Sequence, residues 1–316
     1  MSDFRVVVLG SGAAVPTPER GTTSVCVLFR QHAFLVDAGE GVQLALRKAR
    51  IRFHGITGIF ITHLHGDHVL GLPGLLSSLS LLGRTRELHV WGPTGLQAWV
   101  QATIATTRTH LSFPVAFHVL HEEPGLCWES SDFQATAFPV RHRIPCWGVR
   151  FDERPRPPRL NKAVVNTGLL SIEALRALKS GVTVQDITGG TVRPEDALLP
   201  PDVPRSFVYA SDTLPCAGVI ASSRGAGLLF HDSTFADILR KRAKETGHST
   251  AMQAAEIAKE AGVGTLMLGH ISARYAHRSD ELLEDARSVF SECIVARDGL
   301  VVEVPRGHSV EKFSRE

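Results

Sequence analysis

Cysteine is scarce and unpatterned in this 316-residue chain: five residues, widely spaced, with no C-x-x-C pair. That excludes a cysteine-rich zinc site and argues against a disulfide framework. Long apolar runs are missing too. The longest uncharged one, residues 69–83, is broken by Gly, Pro and Ser and is too short to span a bilayer. Net charge is nearly absent, with 34 basic against 32 acidic residues, or +2. This excludes a strongly cationic nucleic-acid coat but leaves room for a local basic patch. No repeat with a period of 20 to 50 residues is visible. The opening M-S-D-F-R-V-V-V-L-G carries an acidic residue and a very short apolar run. It reads as a first strand rather than a signal peptide. A reduced, cytoplasmic protein is the expectation. What the chain does have is histidine, 15 of them, the commonest metal ligand and the near-neutral acid/base group.

Short β-rich runs alternate with helical ones. Residues 4–9, 24–29, 33–36, 58–62 and 88–91 read as strands, and 41–49, 68–82 and 96–107 as helices. The second half repeats the plan, with strands at 133–140, 206–210, 228–231, 265–268 and 299–304. Its helices are expected at 214–223, 235–245, 250–261 and 280–290. Two α/β halves suggest layered sheets with helices outside. Residues 152–205 break the pattern, with prolines at 155, 157, 158, 194, 200, 201 and 204 and one convincing helix at 171–179. From composition this stretch is either an insertion standing off the core or a long crossover connection.

The sharpest signal is T-H-L-H-G-D-H at 62–68, between a buried strand and an apolar helix. Side chains two apart in an extended segment share a face, so His63 and His65 can bind one metal. Asp67 and His68, past a turn eased by Gly66, then point at a neighbouring position. At this point the sequence resembles the metallo-β-lactamase superfamily, whose signature is T-H-x-H-x-D-H. Within it, further blocks resemble ribonuclease Z, the tRNA 3′-processing endonucleases. They are L-G-S-G-A-A-V-P-T-P-E-R (9–20), F-L-V-D-A-G-E-G-V-Q (34–43), G-L-P-G-L-L (71–76), A-S-D-T (210–213), H-D-S-T-F (231–235), H-S-T (248–250) and G-H-I-S-A-R-Y (269–275).

The resemblance implies a four-layer αββα sandwich as a single domain over 1–316, with an exosite-like arm inserted at 152–205. It implies two zinc ions per subunit. His63, His65 and His142 would hold one, Asp67, His68 and His270 the other, and Asp212 would bridge them. Independently of the family, each of these residues follows an apolar strand, so all can converge on one edge of a sandwich. Zinc lowers the pKa of bound water to roughly 7, and a metal pair suits an anionic phosphodiester. Asp67 would also accept a proton. His248 would donate one to the leaving 3′-oxygen; the plain alternative is a polar residue flanking a helix cap. Arg274 is open between holding a phosphate with its planar fork and forming a structural ion pair. The implied reaction removes the 3′ trailer of precursor tRNA, leaving a 3′-hydroxyl on the tRNA and a 5′-phosphate on the trailer. A homodimer is implied as well.

Nine histidines are left: His32, His54, His89, His110, His118, His121, His231, His277 and His308. His231 is either a support for a ligand or a satisfied core residue, and Asp37 is the other plausible support. Residues 141–162 carry seven Lys/Arg against two Asp/Glu, a local +5 suited to RNA phosphates. Three features depart from the family: 152–205 lacks the glycine-proline run common in bacterial arms, Gly21 follows Arg20 where Arg-Asn is usual, and Asp232 replaces the commoner Glu. Two rivals remain: a phosphodiesterase of the same superfamily acting on a small cyclic nucleotide, and a non-catalytic RNA-binding protein with a structural metal.

Overall fold

The computed structural model describes residues 3–200 and 202–305. Pro201 and His308 lie outside the described residues. Contacts divide the chain into two compact units. The larger runs up to Asp152 and resumes at Arg205; the smaller is Glu153–Pro204.

Two seven-stranded sheets build the larger unit. The first is ordered Val301–Glu303, Phe4–Gly10, Ser24–Phe29, His32–Val36, Ile56–Phe60, Leu88–Gly92, Val115–Val119. The second runs Cys293–Val295, Thr265–Gly269, Leu228–Asp232, Ser206–Ala210, Cys146–Glu153, Phe133–Val140, Gly125–Glu129. The side-chain period of two sends alternate residues to opposite faces of each strand. Phe4, Val6 and Val8 therefore join Phe29, Phe34, Phe60, Phe151, Phe207 and Phe230 in a core between the sheets. Val7 and Leu9 face the other way, onto Leu46, Leu75, Leu76 and Val100 of the helices Val42–Lys48, Leu72–Leu81 and Leu96–Thr106. Val208, Leu229 and Leu266 likewise face Val219, Ala254, Ala258 and Leu282 of the helices Ala217–Ser223, Ala251–Ala261 and Asp280–Arg287. Three separate apolar clusters are the three spaces between four layers, which is the expected αββα sandwich.

The helix expected over 68–82 is two helices, Gly66–Val69 and Leu72–Leu81. The break has a steric cause. Gly71 donates its N–H to Ala38 O at 2.8 Å and packs so closely that a Cβ there would strike Gly39 O. The strands Val115–Val119, Gly125–Glu129, Cys146–Glu153 and Cys293–Val295 are not expected from the sequence pattern. The first two are half-exposed at sheet edges and lack clean alternation.

The smaller unit carries the antiparallel pair Arg159–Leu160 and Leu198–Leu199, a second antiparallel pair Val184–Gln185 and Thr191–Val192, and three short helices. Its amphipathic helix Ile172–Lys179 is capped by Ser171, which accepts from Ala174 N, and buries Leu178. Among the described residues no helix is long and apolar enough to cross a membrane.

Candidate metal centre

All seven predicted ligands come from segments at the C-terminal ends of strands. His63, His65, Asp67 and His68 follow Ile56–Phe60; His142 follows Phe133–Val140, Asp212 follows Ser206–Ala210, and His270 follows Thr265–Gly269. They form two adjoining groups able to hold a metal ion, His63/His65/His142/Asp212 and Asp67/His68/His270. In the first, His65 Nδ1 lies 2.9 Å from His63 Nε2 and 3.3 Å from His142 Nε2. In the second, His68 Nε2 and His270 Nε2 are 3.4 Å apart and each lies 3.5 Å from Asp67 Oδ2. Asp212 stands between them. Its Oδ2 is 3.5 Å from His63 Nε2 and 3.8 Å from His142 Nε2. Its Oδ1 is 3.1 Å from His68 Nε2 and 3.0 Å from His270 Nε2.

Hydrogen bonds behind the rings fix which nitrogen faces inward. His68 Nδ1 donates to Asp37 Oδ2 (2.8 Å), and His142 Nδ1 to Gly247 O (2.8 Å). His270 Nδ1 donates to Thr234 Oγ1 (2.9 Å), whose own hydroxyl donates to Asp232. His63 Nδ1 donates to Thr62 Oγ1 (3.0 Å), whose hydroxyl donates to Asp37. A proton on Nδ1 leaves a lone pair on Nε2. Inward lone pairs facing one another at these distances repel unless a cation lies among them. Donors about 3.3 Å apart are what a tetrahedral ion with ~2.0–2.1 Å bonds to nitrogen requires. The donor set therefore fits metal ions. Burial pulls His63 down to about 2 and lowers His65 and His142 as well, which keeps all three in the neutral, ligating form. Burial opposes the charge on Asp212, but the histidines around it hold its carboxyl well below the usual range.

The backbone is strained here. Asp37, Asp212 and His270 have φ of 60°, 47° and 56°, the left-handed region that costs a non-glycine residue about 1–2 kcal/mol. Such strain at strand ends turns side chains toward a site and persists where the surroundings impose it. Asp37, fully buried, accepts from Thr62 N, Thr62 Oγ1, Tyr209 Oη and His68 Nδ1. Gly247, at φ 79°, must be glycine: a Cβ would meet His142 Nδ1 at 3.0 Å.

His248 lies against the clusters, its ring 5.1 Å from those of His142 and His270. Its Nδ1 is 2.8 Å from Asp232 Oδ2. Burial lowers its pKa, but the Asp232 carboxylate outweighs that and raises it overall. Asp232 is the residue whose role the sequence reading missed. It also accepts from Thr213 N, Thr234 N and Thr234 Oγ1, so it ties together the segments carrying Asp212, His248 and His270. Its place at a strand end, like Asp212, was the available signal. The loop before Pro18 contributes as well: Ala14 N donates to Asp67 Oδ2 at 2.8 Å.

Arg274 is exposed, with its guanidinium 5.6 Å from the Phe235 ring centre; its structural setting is a cation–π contact rather than an ion pair. His231 supports no ligand. Its Nδ1 bonds Asp232 O, and its buried Nε2 has no partner. The basic stretch is partly neutralised, since Arg150 pairs with Asp152, Arg156 with Glu153 and Arg159 with Asp202. Asp202 lies outside the counted window, so the local +5 overstated the free charge. Arg141 and Arg143 remain exposed beside His142.

This sandwich with metal-ligand clusters at its strand ends defines a protein of the metallo-β-lactamase fold. The metallo-beta-lactamase fold protein YhfI from Bacillus subtilis shares it, with a TM-score of 0.66 over 95% of this chain and 98% of that one, at 19% identity. Residues 4–154 match a family model described as anti-Pycsar protein Apyc1, a match ending at the start of the smaller unit. A ribonuclease Z from Bacteroides fragilis is 39% identical over 305 residues, covering 96% of this chain and all of the relative. The crystal structure of human tRNase Z, short form, superposes with a TM-score of 0.67 at 28% identity, covering 95% of this chain and 99% of that one. The chain belongs to the ribonuclease Z family.

Proposed function

We propose that this protein is a zinc-dependent endoribonuclease that removes the 3′ trailer from precursor tRNA. The products would be a 3′-hydroxyl on the tRNA and a 5′-phosphate on the trailer. The observation that carries the reading is Asp212, with one oxygen turned to each of two histidine-rich groups. Two adjoining metal ions held there would match an anionic phosphodiester and a metal-assisted displacement, whereas a single structural ion would need no such bridge.

In this reading His63, His65 and His142 hold one zinc, and Asp67, His68 and His270 the other, with Asp212 shared. When bound, the pair supplies Lewis acidity and a nucleophile from water at neutral pH. The chain's own groups do the rest. Asp67, held by the Ala14 N–H, accepts a proton at its carboxylate. His248 keeps Nδ1 on Asp232 and offers Nε2–H to the leaving ribose 3′-oxygen. Its raised pKa keeps that proton available near neutrality. Exposed Arg141, Arg143 and Arg274 would meet phosphates around the cut. Residues 152–205 would grip the tRNA body as an arm. A homodimer and a cytoplasmic location belong to the same proposal.

Incubating pure protein with precursor tRNA and mapping product ends tests it, and uncut RNA despite bound zinc contradicts it. Removing residues 155–200 separates the cyclic-nucleotide rival. An enzyme for a small substrate keeps its activity without them, and tRNA cleavage collapses.

A further inference from the structure

Two histidines outside the centre face each other at the open edge of the first sheet. His89 lies in the strand Leu88–Gly92 and His118 in Val115–Val119, the last strand of that sheet. The two strands pair in parallel, with Trp91 opposite His118. Alternation puts His89 on the same face as Trp91, which belongs to the core between the sheets. The Trp91 ring stacks on His118, with centroids 5.1 Å apart and planes at 20°, and so holds that imidazole in place. His89 Nδ1 then lies 3.1 Å from His118 Nε2.

This spacing has a standard within the same chain. In the first histidine group the ring nitrogens stand 2.9 and 3.3 Å apart, and 3.1 Å falls between. Two nitrogens so placed can both bond one ion at ~2.0–2.1 Å. The Glu87 carboxylate lies 3.8 Å from the other His89 nitrogen, Nε2. It favours a proton there and leaves the Nδ1 lone pair facing His118. Burial, with His89 beside it, lowers the pKa of His118 and keeps its ring neutral. A ring-to-ring hydrogen bond is the other use of this spacing, and it would take up no ion.

The pair is accessible. His118 is exposed and lines a cavity of about 300 Å³ with Leu120, His121 and Gly125, where water can complete an ion's coordination. The pair is also separate from the main centre. His89 stands opposite Gly58 in the neighbouring strand. His63 comes five residues after Gly58, a span of about 15 Å at ~3.3 Å per residue. Imidazole with water suits zinc, copper and nickel rather than magnesium or calcium. We propose that His89 and His118 form a further site for a divalent transition-metal ion, outside the group bridged by Asp212. It stands independently of the function proposed above.

The experiment dialyses full-length, zinc-loaded protein to equilibrium against graded free zinc and counts bound zinc per chain. The parent should take up one ion more than His118→Phe, which keeps an aromatic ring against Trp91, and one more than His89→Gln. Both variants should melt at the parent temperature and hydrolyse bis(p-nitrophenyl) phosphate at the parent rate. Equal zinc uptake by parent and variants overturns the proposal. So does a lost ion accompanied by lost diester hydrolysis, because that ion belongs to the main centre.

Discussion

His248 and the buried Asp232 form a pair, Nδ1 to Oδ2 at 2.8 Å, with Asp232 held on its other lone pairs by Thr213 and Thr234. The ring's second nitrogen is thereby aimed and its proton retained. His248→Ala should leave metal content unchanged and slow cleavage by about 100-fold, within the range for a lost general acid. Metal analysis with single-turnover rates checks this; an unchanged rate removes His248 from the mechanism.

The same pair sets a pH limit. The His248 pKa is raised, so the donating form is present below that value and is lost as pH rises through it. Activity should therefore fall on the alkaline side. Asp232→Asn removes the main raising influence, and the alkaline limb should move to lower pH while metal content stays the same. A limb that does not move assigns Asp232 a merely structural part.

Asp212→Ala should lose metal and activity together, because both groups share its carboxylate. Inductively coupled plasma measurement of bound zinc reads this directly. A variant that keeps the parent's metal content contradicts the proposed bridging role.

Asp37 touches no bound metal in this account, yet its carboxylate holds His68 Nδ1 at 2.8 Å. Asp37→Asn keeps the volume and loses an acceptor. Metal affinity should fall by about 10–100-fold, the usual cost of losing such a support. Competition with a chelator measures it, and parental affinity argues that Thr62 and Tyr209 are the real reason for the residue.

Much of this site is legible in the sequence because the proposed ligands fall where strands end. The spacing in T-H-L-H-G-D-H places His63 and His65 on one face, and apolar runs before His142, Asp212 and His270 announce the same edge. Other features depend on pairings that sequence distance hides. Arg159 is neutralised by Asp202, 43 residues on. Asp232 looks like a conservative replacement until His248 is seen against it. The helix break at Gly71 follows from contact with Gly39, which no local propensity encodes. The edge strands Val115–Val119 and Gly125–Glu129 escaped because their exposed faces carry apolar residues such as Val119 and Leu126, which blur the period of two.

The most direct test is cleavage of precursor tRNA by zinc-loaded protein, with both product ends mapped and zinc counted in the same sample. The expected result is two zinc ions per chain, a tRNA ending in a 3′-hydroxyl and a trailer beginning with a 5′-phosphate. Intact RNA in the presence of two bound zinc ions, or a 3′-phosphate on the tRNA, would contradict it.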